Sequence, residues 1–498
     1  MTRAAFFLAV VLVGVLLAAS VALAATPIPN DPPNGPSLVP NFAGTAATPQ
    51  KVKAPKVPQN PFMAANGLSN VHNDGYQSDT YTWSGPLGRS PTVNSQFFGT
   101  FGSCGITIVF DRFGRPLTNC VSAAAQRLTL YDPTTLDTLA TYDLPPRVIP
   151  PGANPLTSGG GAYFYLDNQD RAVVSTGRTI RVIALHGGLA NPSFSLAALY
   201  DLASVIPAND QINSAVPDWS GHLWFVSRFS GVVGALDQRT GKVLDSVRLN
   251  EPIENSFAVD EKGGVYVVSD AAMYRFDLSK GGKVQTTWRE PYKNTGVQKP
   301  GQFTAGSGTT PTVMGNHYVS ITDNADPMNV VVYRRAAHVG RGRRVVCEQP
   351  VFAKGASATE NSLIGTDNSM IVENNFGYAP PPFATENGAT STPGIERVDI
   401  AQNGKSCRAV WHSNAIAPSV VPKLSLANGL VYTITKPPGR PDAWYVTAID
   451  FRTGRTNWSR LLGTGVFYNN HYAGIAISPR GDLYSGVLGG TVRVADGR

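Results

Sequence analysis

"NSFAVDEKGGVYVVSDAAMYRFDLSKGGKVQTTW", residues 255–288, holds the architecture of the chain in miniature. An apolar run stops at an Asp-x-x-Gly turn, and the alternating strand "VYVVS" follows. After a short loop come "MYRFDL", a Gly-Gly turn and "KVQTTW". Alternation with turn chemistry at each reversal describes an antiparallel meander of four short strands.

The same unit recurs. Aligned on the strand that resembles "VYVVS", the copies read "DRFGRPLTNCVS", "DNQDRAVVSTG", "DWSGHLWFVSR", "DEKGGVYVVSD", "VMGNHYVSITD", "TDNSMIVENN", "LANGLVYTITK" and "SPRGDLYSGVL". Their starts lie roughly 45 to 60 residues apart, the period of a β-propeller blade. Each sheet has two apolar faces that only its neighbours can cover, so the units must stack around a common axis. The expected fold is therefore an all-β propeller of eight four-stranded blades. A count of seven stays open, because the first unit is irregular. The last copy is short, and strands from both ends of the domain are expected to complete one blade and close the ring.

Composition agrees. In 498 residues, 42% are hydrophobic, and the 50 glycines and 38 prolines are scattered between apolar runs. That is a turn-rich globular chain rather than a disordered one. Residues 1–25, "MTRAAFFLAVVLVGVLLAASVALAA", combine one basic residue, an apolar core and an Ala-x-Ala ending, as a secretory signal peptide does. The alternative is a retained anchor, since the apolar core approaches membrane-spanning length. Residues 26–60, with "PIPNDPPNGPSLVP" and "KVKAPKVPQNP", read as a proline-rich structureless spacer, and 61–498 as one propeller domain. The expected location is secreted or periplasmic, with no membrane span once the signal is removed.

Four cysteines suit that compartment and allow three connectivities. Cys104 and Cys120 flank a hairpin and can face each other across it, which leaves Cys347 with Cys407. The formal charge of +7 is concentrated in "RRAAHVGRGRR" (334–344). No aromatics interleave there, so a solvated loop is expected rather than a nucleic-acid patch.

Two hairpins repeat almost verbatim: "ALDQRTGKVLD" (235–245) and "AIDFRTGRTNW" (448–458). The pattern Ala-x-Asp-x-x-Thr-Gly-x-x-x-Trp resembles the repeat of the quinoprotein alcohol dehydrogenase-like, or PQQ-like, propeller superfamily. "RVDIAQNGKSCRAVW" (397–411) and "RFDLSKGGKVQTTW" (275–288) are looser copies. The resemblance covers most of the chain beyond the spacer and concerns the fold, because the repeat is a packing device. Trp288, Trp411 and Trp458 are expected between blades. Dehydrogenases of that superfamily use pyrroloquinoline quinone with calcium and carry a disulfide between adjacent cysteines. No two cysteines are adjacent here, which argues against the quinone.

In a propeller, the loops entering the innermost strands and those joining second to third strands share one face. Around it the sequence places "VHNDGY" (71–76), "DQINSA" (210–215), "IENSFA" (253–258), "TENSLI" (359–364), "NNHYAG" (469–474), Asp270, "TDNADP" (322–327) and "VENNFG" (372–377). Glu254, Asn255, Asp323, Asn324, Glu360, Asn361 and Asn374 are hard oxygen donors of the kind calcium takes. The competing reading is that such residues bond their local backbone. His72 and His471, assigned to the two terminal units, with Asp74, are candidates for general base and orienter. Asn73, Asn213, Asp270 and Asn375 are further candidates for ligand contacts. No G-x-S-x-G, H-E-x-x-H or phosphate loop is present. The sequence thus favours an exported binding platform for a small molecule, an envelope protein or a polymer. A calcium-dependent lactonase- or esterase-like hydrolase is the alternative, and a quinoprotein dehydrogenase comes third.

Overall fold

The computed structural model describes residues 23–99, 102–122, 125–147 and 163–497. The hydrophobic leader lies almost wholly outside the described residues. Among those described, regular structure is β-strand apart from three short 3-10 turns, and no helix is long and apolar enough to cross a membrane.

The 255–288 stretch forms the expected meander: Ala258–Val259, Val265–Val268, Ala272–Leu278 and Val284–Pro291, paired in that order. Strand pairing among the described residues sorts the chain into eight such arrays. In chain order they occupy 103–144, 164–201, 212–248, 258–291, 312–350, 364–413 and 423–464, and the eighth starts at 475. The eighth takes three strands from 475–495 and its outermost strand, Thr92–Phe97, from the other end of the domain. Thr92 faces Ala495 and Phe97 faces Gly490. Innermost strands of successive arrays neighbour one another, so the molecule is a β-propeller. At the closure, Val487 of the eighth array pairs with Cys104 of the first. There a Cβ on Gly105 (φ +114°) would sit 2.8 Å from the Gly486 Cα, so both glycines are needed for the approach.

The turns explain the repeated aspartates. Asp260 Oδ1 accepts the N–H groups of Lys262 and Gly264, and Asp111, Asp167 and Asp218 do the same in their arrays. The second carboxylate oxygen takes a side chain, from Tyr266, Arg115, Arg171 or His222 respectively. Each aspartate therefore closes its turn and anchors the strand that follows.

The nearly identical hairpins are the outer halves of the third and seventh arrays. Each receives an aromatic ring from the array before it. Tyr200 lies against Gly241, and Trp411 against Gly454. Tyr200 Oη donates to the Gln238 carbonyl and Trp411 Nε1 to the Phe451 carbonyl, at matching positions of the two hairpins. Tyr266 Oη to Arg335 O and Tyr484 Oη to Pro133 O make the same link at two more junctions. Trp288 stacks on Tyr333 of the next array at 6.2 Å, as expected of an interblade ring. Trp458 instead lies between Tyr432 of its own array and Phe42.

Phe42 belongs to the segment that was expected to be structureless. Residues 26–60 are extended but docked. Phe42–Gly44 adds to the outer edge of the seventh array opposite Trp458–Arg460, and Ile28 is buried beneath the Tyr468 hydroxyl. Gln50 and Val52 donate N–H groups to the Asn428 and Leu426 carbonyls. An extended proline-rich chain keeps its remaining backbone groups free of internal bonds, so a sheet edge can take them.

The basic run also departs from expectation. Arg335 is buried against Asp260 and Glu261, and Arg344 is buried with its guanidinium 4.8 Å from the Trp288 ring centre. The disulfides join Cys104 to Cys120 within one hairpin and Cys347 to Cys407 between the outer strands of the fifth and sixth arrays.

Gly454 has φ +71°, and a Cβ there would meet the Trp411 ring at 2.6 Å. Gly454→Ala is expected to cost about 1–3 kcal/mol in denaturant unfolding, through backbone strain and ring displacement. Adding Trp411→Ala should recover part of that loss. Additive costs in this double-mutant cycle would count against the contact.

Candidate functional site

The first feature of the centre is a plug. Residues 60–83 cross one mouth of the channel and bond to the innermost strand of every array. Leu68 O accepts the Phe110 N–H, and Ser69 O accepts the Leu166 N–H. Asn60 Nδ2 reaches Pro217 O. The carbonyls of Gly75, Tyr76, Ser78 and Asp79 take the N–H groups of Val259, Val313, Gly365 and Leu424. Trp83 Nε1 donates to Ile477 O. The partners stand at or beside the ends of their strands, just before the first turn. That mouth is therefore sealed, and residues 71–81 are all buried.

This changes the place of His72 and Asp74. They do not lie in a first repeat but on the plug. His72 Nδ1 is 3.0 Å from Asp79 Oδ1, not from Asp74, and its Nε2 is 3.4 Å from Ser362 Oγ. Asp79 also pairs with the fully buried Lys423, whose ammonium donates to Val71 O as well. Asp74 accepts the Ser78 hydroxyl at 2.6 Å and the Ser78 N–H. Burial pushes its carboxyl up from 3.8 to about 7. Asn73, in a left-handed conformation (φ +80°), donates to Thr80 O. His471 lies apart from this group, with Nδ1 3.1 Å from Tyr378 Oη and its ring beside Tyr472.

Above the plug, at the starts of the innermost strands, two of the expected segments converge. Glu254 is close enough to raise the Glu360 carboxyl, and Arg228 binds Glu254 through two nitrogens. Asn255 Oδ1 accepts the Tyr163 hydroxyl at 3.0 Å, and the Tyr163 ring centre is 6.4 Å from that of His72. Glu360 Oε2 accepts the Phe303 N–H, while its Oε1 is buried without a partner. Asn361 is buried with neither amide atom bonded, and Asn255 Nδ2 is likewise unpaired. Burial and the neighbouring Glu254 hold the Glu360 carboxyl well above the usual range. For Glu254, burial outweighs the Arg228 partner and raises it to about 7.

The other candidates serve their own loops. Asp323 accepts two backbone N–H groups and the Asn329 amide. Asn324 Nδ2 donates to Asn294 Oδ1 and Val297 O. Asn374 Oδ1 caps the Ala358 and Phe376 N–H groups, and Asn213 Nδ2 ties down the 253–255 carbonyls. Asn375 Oδ1 holds Glu360 N, and Asp270 accepts the Thr304 hydroxyl.

The donor set does not suit calcium. Both Glu254 oxygens face a guanidinium, Glu360 favours its neutral form, and Asp323 and Asn374 already accept backbone N–H groups. Among the described residues, no group of three or more His, Cys, Asp or Glu converges as metal ligands do.

Sequence reasoning missed Arg228, Asp79, Lys423 and Ser362. Arg228 lies in a loop joining second to third strands, where the face rule places it, but the search there was for acids and amides. Asp79 and Lys423 belong to no motif, and they meet only because the plug passes under the seventh array.

No protein-family model matches the chain. An uncharacterized protein of Archaeoglobus fulgidus is 29% identical over 366 residues, covering 68% of this chain and 70% of that one. Two solved structures share the fold. One is a quinohemoprotein alcohol dehydrogenase from Comamonas testosteroni, with TM-score 0.52, 12% identity and coverage of 87% of this chain and 82% of that one. The other is a quinohemoprotein alcohol dehydrogenase from Pseudomonas putida, with TM-score 0.51, 11% identity and coverage of 86% and 80%. The chain thus shares the β-propeller fold of these two proteins, and at these identities the likeness is one of fold alone.

Two outcomes follow from the plug chemistry. The folded protein holds a proton on Asp74 that the unfolded chain releases between 3.8 and about 7. Asp74 therefore lowers stability as pH rises through that window, and the penalty persists above it. Asp74→Asn should gain stability over wild type between pH 4 and pH 8, by roughly 1–4 kcal/mol in parallel melts. Lys423→Met leaves Asp79 buried without its lysine partner and should cost about 3–5 kcal/mol.

Proposed function

We propose that the protein is an exported binding platform that takes a small, uncharged polar molecule at the end of its channel opposite residues 60–83. The observation that carries this reading is a set of buried polar atoms with no protein partner on the Glu254 and Glu360 segments: both amide atoms of Asn361, Asn255 Nδ2 and Glu360 Oε1. Such atoms cost free energy unless a bound molecule or water satisfies them. The local charge supports a neutral ligand, since Arg228 offsets Glu254 and Glu360 favours its protonated form. Export is supported by the Ala-x-Ala leader and the two disulfides.

The test is thermal unfolding of the mature chain with neutral monosaccharides and sugar alcohols at millimolar concentration. At least one should raise Tm by several degrees, as expected for ligand at about 100 Kd. Asn361→Ala should remove that rise while keeping the ligand-free Tm within a few degrees. A flat response to every solute, or an unchanged rise in Asn361→Ala, would reject the reading.

A further inference from the structure

The three Asn-Ser copies entering innermost strands are not equivalent. Ser214 and Ser256 lie next to each other around the ring, and their hydroxyls bond mutually at 2.7 Å. In that pairing one hydroxyl donates to the other, which gives them a packing role. Ser362, the third copy, has no serine partner. Its oxygen accepts the Thr310 N–H at 3.2 Å, and on its other side stands His72 Nε2 at 3.4 Å.

The hydrogen-bond directions at this point are constrained. Asp79 is a carboxylate held by the Lys423 ammonium, so it accepts, and His72 Nδ1 must carry the proton that faces it. In the neutral ring Nε2 then carries the lone pair, and the donor that Ser362 offers it is the hydroxyl proton. The order is nucleophile, base, orienter, with Nδ1 at 3.0 and 3.1 Å from the two Asp79 oxygens. The serine–histidine separation is long, as it often is in an enzyme without substrate. Lys423 shares the Asp79 Oδ1 with His72 and acts as a positioning residue.

We infer that Ser362, His72 and Asp79 form a hydrolytic triad for small, uncharged carboxylic esters. This goes beyond ligand binding, because a platform needs no activated hydroxyl. In the first step Ser362 Oγ attacks the ester carbonyl carbon and its proton passes to His72 Nε2. The carbon–oxygen bond to the alcohol then breaks, and His72 returns the proton to the leaving alkoxide. Water next attacks the acyl-serine with its proton going to His72, and collapse frees the carboxylic acid and restores Ser362. One ester and one water give one acid and one alcohol. The Asn361 amide, adjacent in sequence and unpaired, is an N–H donor for the charge that develops on the carbonyl oxygen. The near-neutral surroundings select an uncharged ester, and the burial of Ser362 selects a small one.

The experiment is covalent labelling of the full mature chain with a small alkyl fluorophosphonate, with the site read by peptide mass spectrometry. The serine oxygen displaces fluoride from phosphorus, so the reaction reports an activated hydroxyl whether or not any sugar binds. Ser362 should be labelled roughly a hundred-fold faster than Ser214 or Ser256, the gain expected of a positioned base. Ser362→Ala should abolish the label and the release of nitrophenol from p-nitrophenyl acetate, with an unchanged melting curve. Because His72 also packs within the plug, Asp79→Asn in a protein that still melts cooperatively supplies the second arm and should slow labelling by at least ten-fold. Absence of label on folded wild type, or equal labelling of the three serines, overturns the triad. Neither result bears on the solute-binding test, so the two readings fail separately.

Discussion

A four-stranded sheet in this protein cannot cover its own faces, and the contact that resolves this is an aromatic side chain of one array bonded to a turn carbonyl of the next. Tyr200 to Gln238, Trp411 to Phe451, Tyr266 to Arg335 and Tyr484 to Pro133 are four instances. In each, a ring buries apolar area while its polar atom satisfies a backbone acceptor that the turn leaves open. Aromatic side chains with a polar end suit both tasks. Where the ring meets a Thr-Gly hairpin, the glycine is required twice: its φ is positive, and no Cβ fits beneath the ring. The repeat visible in the sequence is the trace of this contact.

Stacking arrays around an axis leaves a channel, and the chain seals one end with its own residues 60–83. The plug is polar and buried, yet its backbone is satisfied, because the inner strand ends present N–H or carbonyl groups around a ring and the plug answers them in turn. This explains how His72, Asp74 and Asp79 remain buried without a metal-like cluster. Their charges are balanced by Lys423 and local hydroxyls, and Asp74 by taking a proton. It also makes the two ends of the channel chemically unequal. The plugged end has its backbone tied to the inner strands but leaves Asn73 Oδ1 and Gln77 Nε2 unpaired, whereas at the other end the Asn361 amide and Glu360 Oε1 are buried with bonds unmade. Unsatisfied polar groups are costly, so the Asn361 amide, with both atoms unpaired, is a point where a bound molecule would be stabilising.

The electrostatics of that end differ from those of a cation site. A calcium site gathers ionised oxygens and shields them from cations. Here Arg228 occupies Glu254, and Glu360 is held toward its neutral form. The arrangement suits hydrogen-bond exchange with an uncharged molecule better than charge compensation.

The sequence by itself determined the repeat, the second strand of every array and the closure by strands from both ends, because each is written in local alternation or turn residues; hairpin spacing favoured Cys104 with Cys120 among three connectivities. It also located Glu254, Asn255, Glu360 and Asn361 on one face, since strand order alone assigns loops to faces. It misread residues 26–60 and the plug. Their composition is that of free chain, and their order comes from sheet edges and strand ends supplied by residues hundreds of positions away. It likewise read Arg335 and Arg344 as solvated, though a neighbouring array buries them. Only the tertiary structure decided that His72 meets Asp79 and Ser362, whose side chains lie 290 positions apart in the case of His72 and Ser362. Local propensity fixes what each unit becomes, but which distant groups meet on the axis depends on the path of a segment with no pattern of its own.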